Sequence, residues 1–171
     1  MKRLIFVNGP MGVGKSAVCS ELKRMLAPCA FLDGDWCWDL TPFSVTEETK
    51  AMVLGNAAHL LRAFLTCSAV ENVLFCWVMP DRAIIEELCS RVHTDVPFSL
   101  FTLTARAETL CARLRADIGA GKRTEDVIAR SLAYLPRYEG EAGGTRIATD
   151  NLSAADVARQ IAGILLGKER I

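Results

Sequence analysis

Short apolar runs alternate with longer amphipathic stretches along most of the chain. Arg3-Leu4-Ile5-Phe6-Val7-Asn8 is too brief and too uniformly apolar for a surface helix, and it reads as a buried strand. Val18, Cys19, Leu22, Met25 and Leu26 then recur at helical spacing, with Glu21, Lys23 and Arg24 facing away. Pro28 closes that helix. Cys29-Ala30-Phe31-Leu32 reads as a second buried strand and delivers Asp33-Gly34-Asp35 at its C-terminal end. After an aromatic stretch without helical period (36–43), Ser44-Val45-Thr46-Glu47 has the spacing of a capping box. It predicts a long helix whose apolar stripe runs from Met52 through Ala57 and Leu61 to Leu65.

Asn72 to Met79 is the most continuous apolar run and is expected to be a central parallel strand. Asp81 is placed to cap a helix carrying Ile84, Ile85, Leu88, Cys89 and Val92, and residues 97–103 read as a fourth strand. Leu110, Leu114 and Ile118 mark a helix interrupted around Gly119-Ala120-Gly121, and Thr124 caps the next one. Gly143-Gly144 ends that region, residues 145–149 form a short last strand, and Ser153 to Asp156 caps a final helix through Leu165. Alternation of this kind predicts an α/β fold, a parallel sheet with helices on both faces. Ligands in such sheets sit at the C-terminal ends of the strands. With 171 residues, no linker and no internal repeat, residues 1–171 read as one domain.

Composition narrows the function classes. Half the residues are hydrophobic (51%), and 20 basic side chains balance 20 acidic ones, so a broad nucleic-acid surface is not indicated. No segment approaches the roughly 18–20 uninterrupted apolar residues of a membrane span. The N-terminal residues lack a cleavable signal pattern. Seven cysteines contain no C-x-x-C pair, and they read as reduced, buried thiols rather than a zinc site or disulfide framework. A cytoplasmic location is the expectation. Oligomeric state leaves no signal in the sequence.

The first strand runs into Gly9-Pro10-Met11-Gly12-Val13-Gly14-Lys15-Ser16, which satisfies the phosphate-binding pattern G-x-x-x-x-G-K-[ST]. Triphosphate oxygens require several backbone N–H groups converging on one concavity, and glycines allow the chain to wrap that closely. In this pattern Lys15 would reach the β- and γ-phosphates and the Ser16 hydroxyl would bind Mg²⁺, with the following helix N-terminus adding partial positive charge. Asp33 and Asp35, separated by one glycine, would point to the same rim. Carboxylates there can order a hard cation that prefers oxygen ligands, or accept a proton from an attacking hydroxyl. A strand-ending polar turn is the alternative use of D-G-D.

The run Phe75-Cys76-Trp77-Val78-Met79 lacks the acid that many phosphate-loop hydrolases carry at this place. That favours transfer to a bound acceptor over hydrolysis. No N-K-x-D signature occurs, which favours ATP over GTP. Residues 106–137 carry seven cations against four carboxylates, a net +3, whereas residues 33–48 carry a net −5. Arginines closing over a transferring phosphoryl group stabilise its charge and exclude water. Arg123, just past the glycine break, is the leading lid candidate, with Arg115 and Arg137 as companions. Arg106 and Arg130 read as a solvated helix face. Trp36, Trp38 and Phe43 either wall an acceptor site or pack their loop onto the domain.

The loop, the D-G-D after the second strand and the arginine-bearing segment together resemble the small P-loop kinases. That group includes gluconate kinase, shikimate kinase, chloramphenicol phosphotransferase and the nucleoside monophosphate kinases. The resemblance implies a three-layer α/β/α P-loop NTPase fold, a five-stranded parallel sheet in the order 2-3-1-4-5, ATP with Mg²⁺, and a lid (here about 115–137). In the metabolite-kinase branch the first Asp of an Asp-x-Asp assists Mg²⁺ and the second contacts the acceptor, which here are Asp33 and Asp35. The chain departs from shikimate kinases in lacking a glycine-rich segment after the third strand. It departs from gluconate kinases in lacking a His-Phe-Met stretch beyond Arg123. The expected function is therefore an ATP-dependent phosphotransferase acting on a small molecule, with a hydroxyl favoured as acceptor. A nucleoside monophosphate kinase and a nucleotide-binding regulatory NTPase without a metabolite substrate are the alternatives.

Overall fold

Alternation of inward-facing residues on the interior strands divides the core in two. In the computed structural model, which describes residues 2–139 and 143–167, strand β1 (Arg3–Asn8) sends Leu4 and Phe6 to one face and Ile5 and Val7 to the other. Strand β3 (Asn72–Trp77) does the same with Val73 and Phe75 against Leu74 and Cys76. Helices α1 (Lys15–Met25) and α6 (Ala154–Leu165) cover the Ile5 face through Leu22, Val157 and Ile161. Helices α2 (Glu47–Thr66) and α3 (Arg82–Val92) cover the Phe6 face through Val53, Leu61 and Leu88. Each such fully buried side chain contributes about 1.5–3 kcal/mol of transfer free energy.

With β2 (Cys29–Asp33), β4 (Phe98–Thr104) and β5 (Thr145–Ala148) the sheet has five parallel strands in the order β2-β3-β1-β4-β5. The order is the expected one. As expected, β3 is an interior parallel strand, between β2 and β1, and β1 is the middle strand of the five. Both runs are buried on two faces, so hydrophobicity alone does not rank them. Helices α4 (Ala107–Gly119) and α5 (Asp126–Glu139) follow β4, separated by the expected glycine break.

Local differences have identifiable causes. The capping box of α2 is formed by Thr46 and Thr49, two residues later than the sequence suggests. The Ser44 carbonyl is engaged earlier, accepting from the Trp38 indole (3.2 Å) and the Thr49 hydroxyl (3.0 Å). Asp81 occupies the N-cap position of α3 without a side-chain cap bond; its carboxylate pairs with Arg137 instead. Residues Gly34–Trp38 form a short 3-10 turn, not an irregular loop. All seven cysteines are free thiols, but burial is uneven: Cys19, Cys37 and Cys76 are buried, while Cys67 is exposed.

Candidate active site

The C-terminal end of β1 feeds directly into the phosphate loop. A side chain at Gly9 would place its Cβ 2.7 Å from the Leu103 carbonyl, and its φ of +147° already disfavours one. Gly14 is the left-handed N-cap of α1, so the free N–H groups of that helix open onto the loop. Lys15 donates to the carbonyls of Gly9 (2.9 Å) and Pro10 (3.0 Å), which holds the ammonium over the loop backbone. Desolvation lowers its pKa below the ordinary lysine value, and the nearby carboxylates of Asp35 and Asp33 oppose that shift.

Asp33 ends β2 in register with Cys76 of β3, and it is buried. The Ser16 hydroxyl donates to its Oδ2 at 2.6 Å, and the Asp35 amide donates to its Oδ1 at 3.1 Å. One carboxylate thus joins α1 to the 3-10 turn. Cys76 occupies the position where an acid is absent, with Sγ 3.9 Å from Ser16 Oγ. The donor set formed by Ser16 Oγ and Asp33 is hard oxygen, which fits Mg²⁺ retaining several of its waters.

Asp35 projects beyond this pair and is exposed. It borders two adjoining cavities. A cleft of about 530 Å³ runs along the phosphate loop past Lys15, Ser16, Asp33 and Lys122. A larger cavity of about 920 Å³ opens between α2, α3 and α5, lined by Trp38, Phe43, Ile84 and Tyr134 among others. Asp35, Trp77, Val78, Met11 and Arg123 line both. Gly34 lets the turn close on Trp77, since a Cβ there would meet the indole Cγ at 2.4 Å.

The cationic candidates separate. Arg123 lies at the junction of the cavities, 3.4 Å from Asp117. Arg137 lines the larger cavity and not the phosphate-side cleft, in an ion pair with Asp81 at 3.0 Å and 5.7 Å from the Tyr134 ring centroid. Of the two companions expected beside Arg123, Arg137 thus sits on the side of the larger cavity. Arg115 is exposed on α4 and lines neither cavity. Arg130, read from the sequence as a solvated face, lines the larger cavity and pairs with Asp126 at 2.9 Å. Trp38 and Phe43 line the cavity too, while Trp36 packs edge-on against Phe31.

Several residues essential to this geometry carry no sequence signal. Asn8 is fully buried; its amide donates to the Met79 carbonyl (2.8 Å) and its oxygen accepts from the N–H groups of Gly9 (2.8 Å) and Met79 (2.9 Å). It ties the start of the phosphate loop to the end of β3. Arg113 donates to the Val13 carbonyl (3.1 Å) and to Thr149 (2.9 and 2.8 Å), bracing the same loop from α4. Ser131 donates to the Met11 carbonyl at 2.8 Å, which docks α5 on the loop. None of these belongs to a spacing motif, because each acts from a distant part of the chain.

Sheet order, phosphate loop and paired carboxylates define the α/β fold of the P-loop kinases. The chain belongs to the AAA_18 family, an AAA domain family whose model matches residues 5–132. Solved structures share the fold over nearly the whole chain. The tunicamycin resistance protein of Deinococcus radiodurans superposes with a TM-score of 0.72 at 22% identity, covering 96% of each chain. A sugar kinase from Janibacter sp. HTCC2649 gives 0.70 at 17% identity, covering 99% of this chain and 96% of that one. A gluconokinase from Sinorhizobium meliloti 1021 gives 0.68 at 16%, covering 97% of each. No curated protein sequence matches this chain. Among the described residues, no helix is long and apolar enough to cross a membrane.

Proposed function

We propose that this protein is an ATP-dependent phosphotransferase that moves the γ-phosphoryl group to a hydroxyl of a small-molecule acceptor. The observation that carries the reading is the position of Asp35, on the seam between the phosphate-loop cleft and the larger cavity. A base there reaches an acceptor hydroxyl on one side while the phosphate lies on the other. The loop amides and Lys15 would hold the β- and γ-phosphates. Ser16 and Asp33 would hold Mg²⁺, whose charge offsets that of the phosphate oxygens. Asp35 would orient the acceptor hydroxyl and take its proton, and Arg123 would sit against the transferring group.

The glycine-containing break between α4 and α5 supplies the hinge for Arg123. Ser131 fixes α5 to the loop, so the closing part is the turn around residues 119–125 rather than the whole of 115–137. We read the chain as one kinase domain on this basis. The decisive experiment compares Asp35→Asn with wild type in ADP release and in ATP binding. Transfer should fall by roughly 10²–10⁴-fold, with ATP affinity within a few-fold. Retained transfer removes Asp35 from the mechanism.

A further inference from the structure

The larger cavity is built for more than a hydroxyl. Trp38, Phe43 and Trp77 form a continuous aromatic wall, with centroid separations of 5.6 Å for Trp38–Phe43 and 6.1 Å for Trp38–Trp77. The Trp38 N–H is engaged by Ser44, so what its indole offers is apolar face. Phe43 is 62% exposed at the rim, a large apolar surface that a ligand would cover. At about 920 Å³ the cavity is at the upper end of the volumes that enclose drug-sized ligands.

The cations on the walls are already paired, three with carboxylates that also line the cavity and two with carboxylates outside it. Lys50 pairs with Glu47 (2.7 Å), Arg91 with Glu87 (2.6 Å), Arg123 with Asp117 (3.4 Å), Arg130 with Asp126 (2.9 Å) and Arg137 with Asp81 (3.0 Å). Every cation lining the cavity therefore has a carboxylate partner. Among the described residues Asp35 is the one lining carboxylate without an ion pair within 4.0 Å. An incoming carboxylate or phosphate would have to exchange with an existing partner for little gain, close to Asp35, Asp81 and Glu87. A neutral molecule meets no such competition.

We infer that the acceptor is an uncharged, hydroxyl-bearing molecule with a planar or apolar body that stacks on the Trp38–Phe43–Trp77 wall, and not a sugar acid or a phosphorylated compound. The placement of its hydroxyl at Asp35 rests on the phosphotransfer reading; the wall and the paired charges do not. Phenyl β-D-glucoside, phenyl β-D-glucuronide and methyl β-D-glucoside separate the two features, since the first differs from the second in charge and from the third in its ring. Binding is followed by tryptophan fluorescence with Mg²⁺ and the β,γ-imido analogue of ATP, and ADP release from ATP is measured in parallel.

The phenyl glucoside should bind at least roughly ten-fold more tightly than either companion, as expected of one stacked ring. Phe43→Ala, an exposed change that leaves the core intact, should abolish most of that preference with the nucleotide analogue bound as before. Asp81→Asn, which releases Arg137, should strengthen glucuronide binding about two- to five-fold. Equal or tighter binding of the glucuronide by wild type, no binding of any of the three, or indifference to Phe43→Ala would overturn the inference. A phenyl preference without ADP release would keep the stacking of an uncharged ligand on the wall and remove the phosphotransfer reading; ADP release favouring the glucuronide would do the reverse.

Discussion

The two cavities that meet at Asp35 are made of different material. The phosphate-side cleft is organised by one loop, with its amides, a helix N-terminus and the carbonyls that anchor Lys15, and Ser16, Asp33, Trp77 and residues of α4 stand around it. The larger cavity is assembled from the 3-10 turn, α2, α3, α5 and the residues that follow β3. Backbone curvature needs particular residues at fixed spacing, so the first is written in eight consecutive positions. A side-chain wall can be assembled from any elements the topology brings together. The same division separates what a local motif dictates from what the fold assembles.

The largest test of that division joins the two halves on purpose. Asn8→Ala removes the amide that ties the loop to β3 and leaves the buried N–H groups of Gly9 and Met79 unpaired. Denaturant unfolding should show a loss of about 3–5 kcal/mol, and both ATP and acceptor binding should weaken together. A variant that lost one and kept the other would show that the clefts are independent of this bridge.

Gly34→Ala acts on the seam. Its Cβ would drive into Trp77, which lines both cavities, and overpacking of that kind costs about 1–3 kcal/mol. Acceptor turnover should suffer more than ATP affinity, because the phosphate loop is braced separately by Arg113 and Ser131. Equal losses would argue that the seam, not the loop backbone, governs the nucleotide side as well.

The smallest effect lies at the far edge of the sheet. Asp150 accepts from the Thr109 hydroxyl and the Arg106 amide, and the Thr109 hydrogen bond foremost holds its pKa below the ordinary aspartate value. A depressed folded-state pKa stabilises the protein above the unfolded value of about 3.9 and loses that contribution as pH falls through the folded value. Thermal melts taken as pH falls below about 4 should therefore show wild type losing more stability than Asp150→Asn. Parallel melting curves would remove this contact from the stability of the loop support.

Sequence reading succeeded where local chemistry decides the outcome. The parallel sheet, the loop and the nearness of Ser16 to Asp33 follow from apolar runs and two short motifs, whereas the strand order is what the resemblance to the small P-loop kinases implies. It failed where a residue's role depends on a distant partner. Asn8 looks like an ordinary strand-ending residue until Met79 is beside it. Arg113 and Arg115 are indistinguishable in a cationic run, yet helical phase turns the first onto Val13 and Thr149 and leaves the second exposed. The aromatic segment 36–43 left a wall and a packing role equally open, and the structure divides them: Trp38 and Phe43 at the cavity, Trp36 on Phe31.

Both cavities can act together only if the loop that follows β1 captures a polyphosphate. Calorimetric titration of ATP into the protein with and without Mg²⁺, repeated on Lys15→Ala, tests this directly. Magnesium-dependent binding weakened roughly 100-fold by the substitution, equivalent to about 3 kcal/mol, is the predicted result. ATP binding that is absent, or indifferent to both the metal and Lys15, would contradict it.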